Sequence, residues 1–184
     1  QVDLVTISGS LPKDVPDDFY QRIIELCSHY EKFVLLDTNG KQLQKSLQGD
    51  AKPNLIKPNE EELANFVGRE IQSQQDLLDA LGDEALQDIE WIVVSLGAKG
   101  AIIKHQESIY EVQIPIVQAV NPVGSGDSVL AGFASGISRN LEGTTLMRYG
   151  IAMGVLNAME EKTGYINPDN IDWCMEQIKV VKLK

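Results

Sequence analysis

The residues most able to do chemistry lie in one short segment, residues 121–127, with the sequence NPVGSGD. An apolar stripe at helical spacing follows it and predicts a helix that opens near Asp127; its members are Val129, Leu130, Phe133, Ala134 and Ile137. Because glycine has no Cβ, the backbone N–H groups of Gly124, Ser125 and Gly126 can converge on one anion, and we expect Gly126 to need a positive φ. The helix dipole adds about half a positive charge there. The segment therefore predicts an anion hole.

Asp127 has two interpretations. It is either a carboxylate that lies beside this anion hole, or an ordinary helix N-cap, a position that Asp often occupies. Two other phosphate-binding motifs are excluded. The third glycine of a dinucleotide-binding fingerprint would fall at Val129, and no GxxxxGK[ST] loop occurs in the sequence.

A second glycine-containing segment follows the apolar run WIVVS and has the sequence SLGAKG. Its two glycines and its lysine suit a loop that lies against a nucleotide, whereas a simple β-turn between two strands would also require glycine. The residues of this candidate loop are Ser95, Leu96, Gly97, Ala98, Lys99 and Gly100.

The segment KPNEEE, residues 57–62, places three carboxylates at the start of a predicted helix. Acidic residues in a first helical turn complement the helix dipole, and for Glu61 this is the favoured interpretation. Asn59 and Glu62 are three residues apart and share a helix face, so the pair could hold a magnesium–water cluster.

Asn157 is a polar residue on an apolar helix face, which it shares with Leu146, Gly150 and Met153. It is either a core amide whose hydrogen bonds are made within the protein or a ligand contact. The sequence leaves both open.

Short β-branched runs alternate with longer amphipathic runs, which predicts βαβ units and an α/β fold. Strands are predicted over 2–7, 33–37, 54–57 and 91–95, with a hairpin over 101–104 and 108–112; helices are predicted over 17–30, 41–47, 60–67, 73–86, 126–139, 144–160 and 169–179. The strand over 2–7 is expected to be buried. The first helix should bury Phe19, Ile23, Ile24, Leu26 and Cys27. We expect one domain, with a mostly parallel sheet covered on both faces and ligands beyond the carboxyl ends of its strands.

The composition is that of a globular protein, with 43% apolar residues in 184 and a net charge of −11. This negative field argues against binding to nucleic acid. The sequence contains no run of 18 apolar residues, so no membrane span is predicted, and no secretory leader is visible. The two cysteines cannot form a disulfide framework, which favours the cytoplasm. Because a strand pattern begins at Val2, we expect the sequence to be the C-terminal part of a longer chain.

Taken together, these motifs resemble the PfkB-type, ribokinase-like carbohydrate kinases. The segment NPVGSGDSVLAGFA fits the C-terminal signature of that family, and SLGAKG, KPNEEE and ISGSLP occur in the family's order. The resemblance implies a three-layer ribokinase-like α/β fold and ATP-dependent phosphoryl transfer to a sugar-phosphate hydroxyl. Three segments, VNPVGSGD, DLVTISGSLPKDVPDDFY and GYINP, look most like the tagatose-6-phosphate kinases of the family, which convert tagatose 6-phosphate to tagatose 1,6-bisphosphate; the 1-phosphofructokinases are the alternative.

The resemblance also implies a role for each motif. Asp127 would be the catalytic base, and the amides of Gly124, Ser125 and Gly126 would hold the transferring γ-phosphoryl group of ATP. Asn59 and Glu62 would place Mg²⁺ and phosphate. The SLGAKG segment would line the nucleotide loop, with Asn157 as a candidate adenine-side contact.

The sequence departs from the family at its N-terminal side. The sugar-binding carboxylate, the glycine-rich sugar loop and the small β lid of family members have no match here. The lid commonly mediates homodimers, so a homodimer is expected only of an intact kinase. Two hypotheses follow: the C-terminal part of a sugar-phosphate kinase, or a nucleotide-binding module that lacks catalysis.

Overall fold

The computed structural model describes residues 2–184, which form two compact units. The first unit contains residues 2–94 and 104–107, and the second contains residues 95–103 and 108–184. Each unit is described separately below. The expectation of one domain stays a prediction.

The strands of the first unit run parallel, as the βαβ pattern predicts. They are β1 (Leu4–Ser8), β2 (Phe33–Asp37), β3 (Leu55–Ile56) and β4 (Trp91–Ser95). They pair in sequence order, with Ile7 opposite Leu36, Leu36 opposite Ile56 and Ile56 opposite Ile92. Because all four are parallel, their carboxyl ends meet at one edge, where ligands bind in sheets of this kind.

The side chains of β2 are buried as expected, whereas most of those of β1 are not. β2 carries three consecutive buried residues, Val34–Leu36, as a strand covered on both faces requires. In β1 only Ile7 is buried, because within residues 2–184 this strand pairs with β2 alone. The prediction of a buried first strand is therefore wrong for most of its length.

The helices of the first unit are α1 (Phe19–His29), α2 (Gly40–Ser46), α3 (Glu60–Val67) and α4 (Gln74–Ala80). The buried face of α1 is formed by Tyr20, Ile24 and Cys27, whereas the side chains of Phe19 and Leu26 are exposed. The predicted helix over 73–86 is also wrong in its second half. After α4 the chain turns at residues 81–83 and forms a short 3₁₀ turn, Glu84–Leu86, which Asp83 caps.

The second unit contains β5 (Ala101–His105, of which residues 101–103 belong here), β6 (Ser108–Gln113) and β7 (Lys179–Lys182). β7 runs antiparallel to β6, with Val112 opposite Val180. The helices are α5 (Ser125–Ser138), α6 (Gly143–Ala158) and α7 (Ile171–Gln177). The sequence pattern predicts that the last helix extends to residue 179, and it does not predict the strand β7. Across residues 2–184, no helix combines the length and the apolar character that crossing a bilayer would require.

Helices α5 and α6 pack closely because glycines line their contact. An added Cβ at Gly150 would lie 2.4 Å from the ring of Phe133, and one at Gly132 would lie 3.0 Å from the Cα of Gly150. At Gly154 the added carbon would lie 2.5 Å from Val129 and 3.0 Å from the carbonyl oxygen of Ser125. Real Cβ atoms do not approach other atoms so closely, so these glycines fix how near α6 comes to the first turn of α5.

Candidate functional site

The segment 121–127 forms the predicted loop at a helix start, in the second unit. Gly124 is the N-cap of α5 and has a left-handed backbone, with φ of 80°. An added Cβ there would lie 2.6 Å from the Cγ2 atom of Thr163. Gly126 is the second residue of α5 and has helical backbone, so the expectation of a positive φ at Gly126 is wrong. The position that needs glycine is Gly124.

The first turn of α5 offers backbone N–H groups to an anion. A helix leaves the N–H groups of its first turn without intrahelical partners, and that of Gly126 belongs to this turn. The N–H of Ser125 already donates to the carbonyl oxygen of Pro122, at 3.2 Å. Of the three amides predicted for the anion hole, that of Ser125 is therefore engaged within the protein, whereas that of Gly126 lies in the first turn of α5.

Asp127 is the third residue of α5 and its side chain is exposed. The N-cap interpretation is wrong, because the N-cap is Gly124 and the helix begins at Ser125. An exposed carboxylate in the first turn of a 14-residue helix is the arrangement that the alternative interpretation predicts. Its role as a base stays a prediction.

Asn157 is wholly buried in α6, and its amide is fully used within the protein. Its Nδ2 donates to the carbonyl oxygen of Val123 at 3.0 Å and to the Oγ of Ser125 at 3.2 Å. Its Oδ1 accepts from the N–H of Gly164 at 2.7 Å. Because no surface of this side chain is left to contact a nucleotide, the core-amide alternative is the one that the structure supports, and the expected adenine-side contact is not formed by Asn157.

No role was predicted for three residues around the loop, Asn121, Thr163 and Gly164, although Asn121 belongs to the NPVGSGD segment and Gly164 to GYINP. Asn121 Oδ1 accepts from the N–H of Val123 at 3.0 Å, and its Nδ2 donates to the carbonyl oxygen of Glu161 at 3.1 Å. It also donates to the Oγ1 of Thr163 at 3.3 Å. The signal that could have found Thr163 and Gly164 is a short polar stretch with glycine just after an apolar helix, which is typical of a loop.

The SLGAKG segment forms a tight 3₁₀ turn, Gly97–Lys99, between β4 and β5. The N–H of Leu96 donates to the carbonyl oxygen of Gly100 at 2.9 Å, which closes the loop. An added Cβ at Gly100, where φ is 95°, would lie 2.1 Å from the carbonyl oxygen of Val112, so packing alone explains this glycine. Gly97 has φ of 59° with nothing near its absent Cβ, and the turn it opens is exposed. The exposed part of the predicted nucleotide loop is thus Gly97–Lys99.

In the first unit, a polar cluster lies at the carboxyl ends of the strands. Lys57 Nζ pairs with Asp37 Oδ2 at 3.0 Å, and their side chains are only 7% and 17% exposed. Thr38 Oγ1 donates to the carbonyl oxygen of Gly9 at 2.8 Å. This buried ion pair belongs to none of the motifs predicted from the sequence, although both of its members directly follow apolar strand residues.

Asn59 and Glu62 form a reciprocal cap at the start of α3. Asn59 Oδ1 accepts from the N–H of Glu62 at 2.8 Å, and Glu62 Oε2 accepts from the N–H of Asn59 at 2.9 Å. A carboxylate has about four acceptor sites, so Glu62 retains capacity for a further ligand. Among the described residues no group of three or more His, Cys, Asp or Glu side chains could hold a metal ion. The single Glu62 carboxylate nevertheless fits Mg²⁺, which binds through one or two carboxylates plus water and phosphate oxygens.

The fold and the site together define a class. Parallel strands alternate with helices, as in the ribokinase-like α/β kinases, and in this chain a glycine caps the helix α5 that carries Asp127 in its first turn. The model of the pfkB family of carbohydrate kinases matches residues 1–170, and the chain belongs to that family. The α/β fold predicted from the sequence is confirmed.

Solved structures agree with this family. A Staphylococcus aureus protein provisionally identified as a phosphofructokinase has a TM-score of 0.87 and 28% identity over 98% of this chain. The Escherichia coli phosphofructokinase-2, crystallised with potassium, has a TM-score of 0.85 and 26% identity over 94% of it. A Thermotoga maritima protein provisionally identified as a 1-phosphofructokinase shares the fold, with a TM-score of 0.84 and 21% identity over the whole chain. The present chain spans 58%, 56% and 58% of these three proteins, respectively.

Proposed function

We propose that the protein is an ATP-dependent kinase that transfers the γ-phosphoryl group of ATP to a hydroxyl of a sugar phosphate. The observation that carries this proposal is the start of α5, where the left-handed Gly124 begins the helix and Asp127 is exposed in its first turn. Phosphoryl transfer asks a protein mainly for positioning and for stabilisation of negative charge, together with one base. Family membership supports the use of ATP.

Two chemical roles in this proposal, the base and the stabilisation of negative charge, are assigned to the start of α5. Asp127 takes the proton of the attacking hydroxyl. The first-turn N–H groups of α5, aided by the helix dipole, stabilise the charge on the transferring group. Gly124 does not need to donate a hydrogen bond for this, since its left-handed backbone is what turns the chain into the helix.

The Asn59–Glu62 cap is proposed to place Mg²⁺, which would neutralise charge on the phosphate oxygens of ATP. Glu62 is the residue that would hold the metal-bound water, since a carboxylate retains free acceptor sites after one hydrogen bond. Asn59 acts by fixing the carboxylate of Glu62, because its own side-chain oxygen already accepts the N–H of Glu62. The exposed turn Gly97–Lys99 is proposed to lie against the nucleotide.

The sugar is proposed to be tagatose 6-phosphate, on the resemblance of three sequence segments. Fructose 1-phosphate is the second candidate, and the phosphofructokinase names of similar solved structures support a fructose phosphate as the class of acceptor. Both substrates are phosphorylated ketohexoses, so the same base and anion hole would serve either. A cytoplasmic location and a homodimeric state belong to the same proposal.

The test is a coupled assay of ADP release by the protein expressed at full length. Tagatose 6-phosphate, fructose 1-phosphate, fructose 6-phosphate and unphosphorylated fructose are compared at saturating Mg-ATP. Asp127→Asn is the matched control, since it keeps the size of the side chain and removes the base. We expect turnover with one of the phosphorylated sugars and a kcat about 10²–10⁴-fold lower in the variant. Turnover that Asp127→Asn leaves intact would remove Asp127 from the role of base, and no turnover with any sugar would reject the kinase proposal.

A further inference from the structure

Asn157 makes a set of contacts that no role proposed so far uses. It lies one residue before the end of α6 and is 0% exposed. Both of its amide hydrogens and its oxygen are engaged by the protein. These three partners belong to two different segments, the loop that leads into α5 with the first residue of that helix, and the turn after α6. A single buried side chain therefore ties the two segments together.

The chemistry of these partners selects an amide. The carbonyl oxygen of Val123 and the Oγ of Ser125 take hydrogens from Nδ2, while the N–H of Gly164 requires an acceptor. A carboxylate offers only acceptors and an aliphatic side chain offers neither, so only an amide of this length serves all three. Removing it would leave these three groups, which lie in part-buried surroundings, without the side chain that joins them.

Other bonds confine the movement of the same loop. The N–H groups of Val120 and Asn121 both donate to the carbonyl oxygen of Ala158, at 2.7 and 3.1 Å. Asn121 then holds the N–H of Val123 and reaches Glu161 and Thr163. Asn157 is the wholly buried member of this set and the one whose partner is a residue of α5 itself, Ser125.

We infer that Asn157 is a positioning residue for phosphoryl transfer, an inference that rests on the proposed function. By holding Val123 and Ser125 it sets the direction in which α5 begins, and with it the directions of the Gly126 and Asp127 N–H groups and of the Asp127 carboxylate. It touches no reacting atom. Because misplacement of a catalytic group by about 1 Å can cost roughly 10²-fold in rate, a loosened loop should lower kcat more than it weakens ATP binding.

The experiment compares Asn157→Ala with Leu156→Val in the full-length protein. Leu156 is 1% exposed in the same helix, so Leu156→Val trims the core nearby without removing a hydrogen bond to the loop. We expect Asn157→Ala to lower kcat about 10- to 100-fold while KM for ATP changes less than about threefold. Leu156→Val should keep the wild-type kcat. Equal kcat in Asn157→Ala and wild type would overturn the inference.

Hydrogen exchange of the peptide covering residues 121–127 separates the inference from the proposed function. Asn157→Ala should exchange faster there than wild type, and Leu156→Val should not. Exchange that stays at the wild-type rate would overturn the positioning role even if kcat falls. If the wild-type protein phosphorylates no sugar, the proposed function fails, and exchange alone still decides whether Asn157 holds the loop.

Ser125→Ala covers the case in which Asn157→Ala does not fold. It removes one hydrogen-bond partner of Nδ2 and leaves the core of α6 unchanged. The inference predicts a kcat below that of the wild-type protein and faster exchange of residues 121–127 than in the wild-type protein. Wild-type values in both measurements would contradict it.

Discussion

Gly124→Ala is expected to destabilise the protein for two separable reasons. The first is backbone strain, because Gly124 has φ of 80°, a region that residues with a Cβ adopt at a cost. The second is a steric clash, because the new methyl group would lie 2.6 Å from the Cγ2 of Thr163. Thr163 cannot simply rotate away, since its Oγ1 accepts a hydrogen bond from Asn121.

The size of the effect follows from these two contributions. The left-handed backbone costs roughly 1–2 kcal/mol for alanine, and overpacking costs roughly 1–3 kcal/mol. Alanine also restricts the unfolded chain, which offsets about 0.4–1 kcal/mol. The free energy of unfolding should therefore fall by about 1–4.6 kcal/mol in Gly124→Ala.

Urea unfolding followed by circular dichroism measures this loss, and two further variants divide it. Gly164→Ala is the matched control for strain, since Gly164 has φ of 70° in the same unit and nothing lies within 4 Å of its absent Cβ. It should lose only the strain less the same unfolded-state offset, about 0–1.6 kcal/mol. Thr163→Ser removes the clashing methyl group and keeps the hydroxyl, so it should partly rescue Gly124→Ala. If Gly124→Ala is no worse than Gly164→Ala, and Thr163→Ser rescues nothing, the packing argument is refuted.

Three further predictions concern other residues. Glu62→Gln should raise the Mg²⁺ concentration needed for half-maximal turnover while leaving KM for the sugar nearly unchanged; a shift in the sugar KM alone would refute this placement of Glu62. Lys57→Met should lower the free energy of unfolding by about 3–5 kcal/mol, because it leaves the mostly buried carboxylate of Asp37 without its ammonium partner. An unchanged free energy of unfolding would contradict this prediction, and so would a loss of stability that a second substitution, Asp37→Asn, does not partly restore. Burial raises the pKa of Cys174 from 9.0 to about 11, so the folded thiol stays protonated where the unfolded thiol ionises. The free energy of unfolding should therefore fall as the pH rises from 9 towards 11, and it should fall less steeply in Cys174→Ala than in the wild-type protein. Equal slopes in the two proteins would refute the raised pKa of Cys174.

The sequence predicted the site segments well where one local signal controls the structure. β2, β4 and α3 begin and end at the predicted residues, because an unbroken apolar run or an Asn-x-x-Glu cap fixes each boundary. The glycine loop was placed correctly as the start of a helix. The expected positive φ was assigned to the wrong glycine, since a spacing pattern alone does not reveal which residue meets Thr163.

Other features depend on residues far apart in the sequence and could not be predicted from it. The contacts of Asn157 join residues that lie 7 to 34 positions away, and its two interpretations could not be separated without them. The Lys57–Asp37 pair likewise depends on which strands become neighbours. β7 was missed because the final segment carries a helical pattern up to its boundary, and only the pairing with β6 makes it a strand.

The glycines between α5 and α6 bear on any attempt to make this protein more thermostable. Replacing helix glycines by alanine is a standard stabilising strategy, since alanine is better in a helix by about 1 kcal/mol. Here the strategy should fail at Gly150 and Gly154, where the added carbon would lie 2.4 Å from Phe133 and 2.5 Å from Val129. At Gly154 it would also press on the carbonyl oxygen of Ser125, so a substitution chosen for stability would disturb the start of α5 as well. Thermostabilising libraries should therefore leave this helix pair unchanged and draw their substitutions from elsewhere in the chain.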